Sequence, residues 1–390
     1  MKAIFWTSLF LIFYTYIGYG LLIYIILLIK RRFSKTVKEK IVNQDNLPTC
    51  SLVIAAYNEE DIIKEKIENT LSLSYPPERL KIYFVTDGSS DRTPGIIKQY
   101  PALTLFHNDE RKGKVAAMDR VMEYIDSEVV IFTDANTFLN KEALIAICIH
   151  YSDESVGGVA GEKRVSYDEK ADASSAGEGI YWKYESQLKK WDSELYSVVG
   201  TAGELFSIRR KLYEPVSSDT ILDDFVISMR IAEKGYRVVY EPKAFAIETA
   251  SENVKEELKR KIRIAAGGMQ AIFRLKSLLN PFKLPVLCFQ YISHRVLRWT
   301  ITPLLLIVVF AINSYLVTQK EGGIYSALLY LQIIFYGLAL MGWFLEKKQL
   351  KMKATFIPYY FCIMNYAVIM GMIKFFQNRQ SAIWIKAKRK

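Results

Sequence analysis

The longest uninterrupted apolar stretches of the chain lie at its two ends. Residues 4–29 contain no charged side chain, and this stretch exceeds the ~20 apolar residues that a helix needs to cross a bilayer. Three further apolar stretches lie near the other end, at residues 299–317, 324–345 and 354–376. We therefore predict a membrane anchor in residues 1–32 and a membrane region in residues 299–376.

Basic residues beside these stretches predict their orientation. Lys30, Arg31 and Arg32 follow the first stretch directly, which by the positive-inside rule places that end in the cytoplasm. A cleavable signal peptide would carry its charges before the apolar core, so we interpret this stretch as a retained anchor. The basic loop 346–353 should also be cytoplasmic. A last full crossing would put the basic tail, residues 377–390, outside, so we interpret the final apolar stretch as re-entrant or interfacial.

The middle of the chain alternates apolar runs with amphipathic segments after a polar linker at residues 33–48. Residues 51–57 form a continuous apolar run, which is typical of a strand inside a parallel sheet. The next segment carries apolar residues at helical spacing, at Ile62, Ile63, Ile67 and Leu71. Three more strands are predicted at residues 81–86, 103–107 and 129–133. This alternation predicts a doubly wound α/β sheet domain, residues 45–250, with ligands bound at the carboxyl ends of its strands.

The second half of this domain is less regular and leads to an amphipathic region. A strand is predicted at residues 205–208 and a helix at residues 225–234, and two further strands follow at residues 236–240 and 244–247. Residues 251–298 then form the predicted interfacial region. It opens with a basic helix and contains an aromatic, apolar segment at residues 281–294 that prolines interrupt. Such a segment is suited to the headgroup plane of a membrane.

Polar clusters follow the predicted strands, and each has a structural and a functional interpretation. Asp87-Gly88-Ser89-Ser90-Asp91 is either a turn or a nucleotide contact. Lys114, at a predicted helix start, is either a solvated side chain or a partner for pyrophosphate. Asp134 and Asn136 end a strand and place two hard oxygen ligands on one side of the backbone, which suits Mg²⁺ or Mn²⁺. Residues 200–204 are either a plain loop or a glycine-rich approach to a ligand.

The adjacent carboxylates of Asp223 and Asp224 precede a predicted helix and follow two apolar residues. Asp at such a position is often an N-cap. A carboxylate at the edge of an apolar frame also has a raised pKa and is suited to general-base catalysis. The two interpretations remain open on these residues alone.

Composition and charge narrow the functional classes. The net charge of +11 at pH 7 would be compatible with nucleic acid, but the basic residues cluster beside apolar segments, which favours anionic lipid headgroups. The first predicted strand is followed by Tyr57-Asn58-Glu59-Glu60 without glycine, which argues against a dinucleotide-binding turn. The four cysteines show no paired spacing, which is typical of a reducing compartment. We predict no nucleic-acid partner and a lipid bilayer as the surroundings.

In this order the motifs resemble the membrane-bound family 2 glycosyltransferases, which include cellulose, chitin and hyaluronan synthases and many bacterial exopolysaccharide enzymes. The resemblance extends over about residues 51–270. It implies a GT-A-like mixed sheet with flanking transmembrane and interfacial helices. It also implies that Ala56, Tyr57, Glu59 and Asp87 bind the nucleotide, with Asp87 on the uracil ring.

The resemblance also implies roles for the later motifs. Asp134-Ala135-Asn136 matches the Asp-x-Asp metal motif, and Leu222-Asp223-Asp224 matches Thr-Glu-Asp, whose last residue is the catalytic base. Asp224 takes that role, and Asp223 would orient it or cap the helix. Residues 203–210, beginning with Gly203, are similar to the segment that lines the acceptor side.

Two departures from the family pattern limit what it implies. Asn136 replaces the second Asp of the metal motif, so the ion has one negatively charged ligand fewer. Residues 260–264 stand where the family has Gln-x-x-Arg-Trp; Arg263 keeps its place, and Lys261 precedes it in the donor site. Because the Gln and Trp associated with acceptor binding in processive synthases are absent from residues 260–264, the resemblance implies glycosyl transfer without implying polymerisation.

We predict an inverting hexosyl- or N-acetylhexosaminyltransferase in a bacterial-type inner membrane, with a cytoplasmic catalytic domain. It would move a sugar from a nucleotide sugar, a UDP-sugar in the first instance, to a growing glycan or a lipid-linked acceptor in cell-surface polysaccharide synthesis. One alternative is a single-sugar transferase acting on polyprenyl phosphate or a lipid-linked oligosaccharide. Another is a non-catalytic membrane scaffold. Four apolar segments are few for a pore, so export would require a homo-oligomer or an export partner.

Overall fold

The computed structural model describes residues 1–33, 46–166, 173–249, 254–348 and 352–379. Most of the predicted linker lies outside these residues. So do the middle of the predicted basic loop and nearly all of the predicted basic tail.

One mixed sheet of eight strands forms the centre of the protein. The strands are β1 (Cys50–Ala56), β2 (Leu80–Asp87), β3 (Thr104–Asn108), β4 (Val129–Asp134), β5 (Thr137–Leu139), β6 (Val156–Ser166), β7 (Leu205–Arg209) and β8 (Arg237–Thr249). Their order in the sheet is β3-β2-β1-β4-β7-β6-β8-β5. The pairs β1–β2, β1–β4, β2–β3 and β6–β8 are parallel, whereas β4–β7, β6–β7 and β5–β8 are antiparallel.

Helices cover both faces of the sheet and extend beyond it at both ends of the chain. They are α1 (Lys2–Phe13), α2 (Tyr19–Phe33), α3 (Ile63–Leu71), α4 (Thr93–Ile97), α5 (Lys114–Met122), α6 (Ala143–Cys148), α7 (Ala173–Leu195), α8 (Asp223–Glu233), α9 (Val254–Arg274), α10 (Pro285–Tyr291), α11 (Leu297–Trp299), α12 (Ile301–Thr318), α13 (Gly323–Lys347) and α14 (Lys353–Phe376). Two π-helical turns, Tyr14–Gly18 and Ile292–Val296, join α1 to α2 and α10 to α11.

The buried faces of the sheet explain why continuous apolar runs became its central strands. Val53 of β1 packs into one core with α5 and α8, whereas Leu52 and Ile54 pack into a second core with α3 and α6. A strand buried on both faces needs apolar residues at every position. The predicted α/β sheet with helices on both faces is therefore confirmed.

The strand β8 corrects one prediction. Residues 236–240 and 244–247 were predicted as two strands, but the structure has the single strand Arg237–Thr249. The register of β6 with β8 shifts where Gly161 pairs with Glu241 and Glu162 pairs with Phe245. Pro242 lies inside this irregularity, where a proline removes no regular ladder hydrogen bond.

Four helical segments are long and apolar enough to cross a membrane among the described residues: Lys2–Phe33, Ile301–Thr318, Gly323–Lys347 and Ala354–Phe376. The last of these is one unbroken helix despite Pro358. The prediction of a re-entrant segment there is therefore wrong, because re-entry requires a break in the helix. The interfacial alternative stays a prediction.

A buried polar network attaches the first apolar helical segment to the domain that contains the sheet. Asp192 of α7 accepts a hydrogen bond from the hydroxyl of Tyr19, at the start of α2. His294 Nδ1 lies 2.5 Å from Asp192 Oδ2, and the Gln290 amide donates to the Asp192 carbonyl at 2.8 Å. The segment predicted for the headgroup plane thus packs partly inside the protein, where Tyr291 is fully buried.

Candidate active site

The carboxyl ends of three neighbouring parallel strands form one edge of the site. The register pairs Ala56 of β1 with Thr86 of β2, and Ala55 with Asp134 of β4, so the residues that follow meet at one edge. A cavity of about 840 Å³ opens there. Its lining includes all of the site residues predicted from the sequence: Ala56, Tyr57, Glu59, Asp87, Lys114, Asp134, Asn136, Gly203, Asp223, Asp224, Lys261 and Arg263.

A lysine and two carboxylates converge around Gly203. The Nζ of Lys114 lies 2.6 Å from the Oδ1 of Asp134. A Cβ atom built on Gly203 would lie 3.1 Å from that nitrogen. The same point is 3.6 Å from Asp224 Oδ2 and 3.8 Å from Asp134 Oδ2. Because Gly203 has no side chain, the space in which these three charged groups meet is open to a ligand.

Burial and mutual charge determine how these groups ionise. Burial and the neighbouring Asp223 raise the pKa of Asp224 from 3.8 to about 7, against the opposing effect of Lys114. Burial also raises the pKa of Asp134, again opposed by Lys114. For Lys114 itself, burial lowers the pKa, but Asp134 and Asp223 outweigh burial and the pKa is raised. At neutral pH Lys114 is a fixed cation, whereas Asp224 can accept a proton.

The two adjacent carboxylates stand in the first turn of α8. The helix begins at Asp223, two residues earlier than predicted, and its N-cap is Leu222, which has no side-chain oxygen. Asp223 Oδ2 is buried and has no hydrogen-bond partner among the described residues. The prediction that Asp223 caps the helix is therefore wrong, while its orienting role stays a prediction. Both carboxylates lie at the positive end of α8.

Hydrogen bonds between the loops that follow β1 and β2 hold this side of the cavity in place. The Glu59 N–H donates to Thr93 Oγ1 at 2.9 Å, and the Glu60 N–H donates to Asp91 Oδ2 at 3.0 Å. Asp91 thus connects the loops that follow β1 and β2. Of the two acidic residues in this motif, Asp87 lines the cavity and Asp91 does not.

Asp87 is oriented by the loop that precedes α5. Its Oδ2 accepts hydrogen bonds from the N–H groups of Lys112 at 2.8 Å and Gly113 at 2.6 Å. Its Oδ1 is buried and has no hydrogen-bond partner in the described part of the chain. The same Oδ1 lies 3.6 Å from Arg120 Nη1, an ion-pair contact. A fixed carboxylate whose Oδ1 accepts no hydrogen bond is suited to accept one from a ligand.

An aromatic ring and a guanidinium group form the adjacent wall. The Arg111 guanidinium carbon lies 3.8 Å from the centroid of the Tyr57 ring, which is a cation–π contact. Gly88 permits this approach, since its φ is +68° and a Cβ there would lie 2.6 Å from the Arg111 Cβ. The motif that begins at Asp87 is therefore a turn and also part of the cavity wall.

One cation of α9 lies in the field of the carboxylates. Lys261 pairs with Glu257 on the same helix at 3.3 Å. Burial lowers the pKa of Arg263, and the charges of Asp223 and Asp224 oppose that effect. Both Lys261 and Arg263 line the cavity.

Lys163 and Glu204 form a buried ion pair that the sequence pattern did not predict. Lys163 Nζ lies 2.5 Å from Glu204 Oε1 and also pairs with Glu248. Burial alone would raise the pKa of Glu204. The Lys163 ammonium outweighs burial, so the pKa of Glu204 lies well below its usual range. Nothing in the spacing joins these residues, since Lys163 and Glu204 are 41 positions apart.

Two tryptophans on the cavity wall were also missed. The ring centroid of Trp182 lies 5.2 Å from Lys163 Nζ and 5.3 Å from Lys261 Nζ. Trp299 packs edge-on against Phe225, the residue after Asp224, with the ring centroids 5.2 Å apart. These rings give the wall flat apolar faces although residues 260–264 contain no tryptophan.

The residues present fit a divalent ion that is completed by ligand oxygens. Asp134 and Asn136 offer hard oxygen ligands at the cavity wall, with Asp134 Oδ1 bound to Lys114. In the described ranges no cluster of three acidic, histidine or cysteine side chains is arranged to hold an ion. Mg²⁺ and Mn²⁺ in nucleotide sites take one or two carboxylates and complete their coordination with substrate phosphates and water. The donor set at Asp134 and Asn136 is compatible with that arrangement.

Comparison with known proteins finds glycosyltransferases. Residues 51–216 match the family described as Glycosyl transferase family 2. The poly-beta-1,6-N-acetyl-D-glucosamine synthase of Staphylococcus aureus (strain MSSA476) is 27% identical over 247 residues, which cover 61% of this chain and 58% of that protein. The probable glycosyltransferase YdaM of Bacillus subtilis (strain 168) is 27% identical over 265 residues, covering 65% of this chain and 62% of YdaM. The chain therefore spans less than two thirds of each relative's length.

A solved structure matches the fold over almost the whole chain. It is the mannosyltransferase PcManGT from Pyrobaculum calidifontis in complex with GDP-Man and Mn²⁺. The TM-score is 0.71 at 21% identity, and the match covers 97% of this chain and 100% of PcManGT. The match extends beyond the sheet to the apolar helices at both ends. The predicted GT-A-like fold with flanking helices is confirmed.

Proposed function

We propose that this chain, which belongs to the family 2 glycosyltransferases through its residues 51–216, moves a sugar from a nucleotide sugar to a glycan or lipid-linked acceptor at the cytoplasmic face of a membrane. The observation that carries the proposal is the convergence of Lys114, Asp134 and Asp224 at Gly203. It combines a fixed cation, a carboxylate suited to a metal ion, and a carboxylate that titrates near neutrality. In nucleotide-sugar transfer a base can take the acceptor proton, while a metal ion and a cation stabilise the leaving diphosphate.

The donor would bind along the carboxyl ends of β1, β2 and β4. Asp87 Oδ1 would accept a hydrogen bond from the base, beside the flat wall of Tyr57 and Arg111. Asp134 and Asn136 would hold Mg²⁺ or Mn²⁺, which when bound supplies positive charge to the diphosphate. A UDP-sugar is the first donor to test, and GDP-sugars are the second because PcManGT was solved with GDP-Man.

Asp224 acts as the general base of an inverting transfer. The acceptor hydroxyl oxygen forms a bond to the anomeric carbon while its proton passes to the Asp224 carboxylate. The bond from the anomeric carbon to the diphosphate oxygen breaks, and its electron pair leaves with the nucleoside diphosphate. Attack opposite the leaving group inverts the anomeric configuration. Lys114 and Arg263 stabilise the leaving charge.

Gly203→Ala is expected to lower turnover, since the added Cβ enters the space where Lys114, Asp134 and Asp224 meet. Displacement of a reacting group by about 1 Å costs on the order of 10- to 100-fold in rate. Release of nucleoside diphosphate by membranes measures the effect. Gly95→Ala is the matched control, because a Cβ at Gly95 meets nothing within 4 Å. Equal turnover by both variants would contradict the assigned location of the reaction.

A donor screen tests the proposed function. Membranes containing the full chain are incubated with Mn²⁺ and a panel of UDP- and GDP-sugars, and nucleoside diphosphate release and product size are measured. We expect release with one class of donor. A product longer by one sugar identifies a single-sugar transferase, whereas a ladder identifies a polymerase. No release with any donor would favour the non-catalytic scaffold.

A further inference from the structure

The cavity that contains Asp224 continues to the membrane helices. Its far wall is formed by the π-turn between α1 and α2 and by α14. Apart from Asn365, the lining side chains there are apolar or aromatic and include Tyr16, Ile17, Phe356, Ile357, Phe361 and Val368. The π-turn lies within the segment Lys2–Phe33, and α14 contains the segment Ala354–Phe376. Each of these segments is long and apolar enough to cross a membrane. One cavity thus joins a polar reaction site to a surface suited to an apolar chain.

The same cavity is lined by a buried lysine that has no ion-pair partner in the part of the chain that the structure describes. Lys189 of α7 lines the cavity and is 6% exposed. Within the described residues its ammonium group has neither a hydrogen bond nor an ion pair, and its contact is the Tyr240 ring, whose centroid is 6.0 Å away. Burial lowers the pKa of Lys189, while the charge of Glu185 raises it. Such a buried cation is costly until an anion binds beside it.

Two arginines near Lys189 share one carboxylate. Arg295 Nη2 lies 2.5 Å from Glu185 Oε1, and Arg298 Nη1 lies 3.2 Å from Glu185 Oε2. All four residues line the cavity. Among them three cations face a single carboxylate, which leaves an excess of positive charge. Clustered Arg and Lys side chains of this kind bind phosphate oxygens.

Two π-helical turns bring side chains into this part of the cavity. The turn Tyr14–Gly18 carries Tyr16 and Ile17, and the turn Ile292–Val296 carries Arg295. A π-turn inserts one residue into a helix and is found mostly at functional sites. Both turns contribute to the same cavity, one to its apolar wall and one to its cationic wall.

We propose that the acceptor is a lipid-linked sugar whose phosphate binds Lys189, Arg295 and Arg298. The lining of one cavity contains all three groups: a base for a hydroxyl, a cluster of cations for a phosphate, and apolar helices for a lipid chain. A free glycan has neither phosphate nor chain and would bring no further negative charge to Lys189. The inference rests on the proposed function for the role of Asp224, whereas the phosphate and lipid contacts stand on their own geometry.

Binding of farnesyl phosphate to the purified full chain in detergent tests this site without requiring turnover. We expect it to bind and to raise the Tm. Farnesol and inorganic phosphate should each bind at least about 10-fold more weakly, because each lacks one of the two contacts. Equal binding of farnesol would mean an apolar site without phosphate recognition. Equal binding of inorganic phosphate would mean a free-phosphate site. Either result would overturn the proposal.

Lys189→Met and Lys190→Met form a matched pair of variants. The two lysines are neighbours on α7, but Lys189 is buried and Lys190 is exposed. We expect Lys189→Met to weaken farnesyl phosphate binding by at least about 10-fold and Lys190→Met to leave it unchanged. Binding of UDP with Mn²⁺ to the same preparations reports whether the donor site is folded. Wild-type affinity of a folded Lys189→Met protein for farnesyl phosphate would overturn the assignment. A wild-type protein that binds farnesyl phosphate but turns over no donor would count against the proposed function alone.

Discussion

The Asp224→Asn variant is expected to bind nucleotide and to lose sugar transfer by about 10²- to 10⁴-fold, the usual contribution of a general base. Asn keeps the shape of the side chain but cannot accept the hydroxyl proton. The carboxylate of the wild-type residue lies beside Lys114 and Asp134 at Gly203, where the acceptor oxygen and the leaving group would meet. Initial rates of transfer and the affinity for UDP with Mn²⁺, measured on one preparation, separate chemistry from binding.

The same substitution is expected to leave the fold at least as stable as the wild type. The pKa of Asp224 in the folded protein is about 7, above its ordinary value of 3.8, so folding disfavours the ionised form. The stability associated with the neutral form is fully present below about pH 3.8 and is lost as the pH rises through about 7. Near pH 8 the Tm of Asp224→Asn should therefore equal or exceed that of the wild type. Sugar transfer by Asp224→Asn at the wild-type rate would show that Asp224 is not the general base.

Asp134→Asn is expected to remove most of the metal-dependent affinity for the donor. The wild-type side chain offers a charged oxygen to the ion, and it pairs with Lys114 at 2.6 Å. Loss of that charge weakens the ion's attachment and releases Lys114 from its partner. We expect nucleotide affinity to fall by at least about 10- to 100-fold. Titration of Mn²⁺ at a fixed UDP concentration measures the change.

Asp87→Asn is the matched control for this prediction. Asp87 lies in the same cavity, but its carboxylate accepts hydrogen bonds from the backbone of Lys112 and Gly113 and is not among the proposed ion ligands. Asp87→Asn should weaken nucleotide binding by the same factor at every Mn²⁺ concentration. If Asp134→Asn keeps the Mn²⁺ dependence of the wild type, the ion is bound elsewhere.

The part of the cavity at the carboxyl ends of β1, β2 and β4 could be predicted from the sequence, because it follows from the periodicity of a parallel sheet. Apolar runs identify the strands, and the polar residues after them meet at one edge once the register aligns Ala55 with Asp134 and Ala56 with Thr86. Asp87 was placed correctly on this basis alone. The bounds of α8 were less certain, because a helix start without a side-chain cap leaves no signal at Leu222.

The membrane half of the cavity could not be predicted in this way. Arg295 bonds to Glu185 across 110 positions, and no motif links the two. In the sequence Lys189 and Lys190 are equivalent members of an amphipathic helix. The fold buries Lys189, against the Tyr240 ring of β8, and leaves Lys190 exposed. The π-turns were missed for a similar reason, since they depend on tertiary packing more than on residue type.

The pH dependence of kcat for sugar transfer tests the role of Asp224 most directly. Because the base must be ionised, we expect kcat to rise with pH and to level off above an apparent pKa near 7. Asp223→Asn should move this midpoint to lower pH, since the charge of Asp223 raises the pKa of Asp224. A wild-type kcat that stays constant from about pH 5 to about pH 8 would contradict general-base catalysis by Asp224.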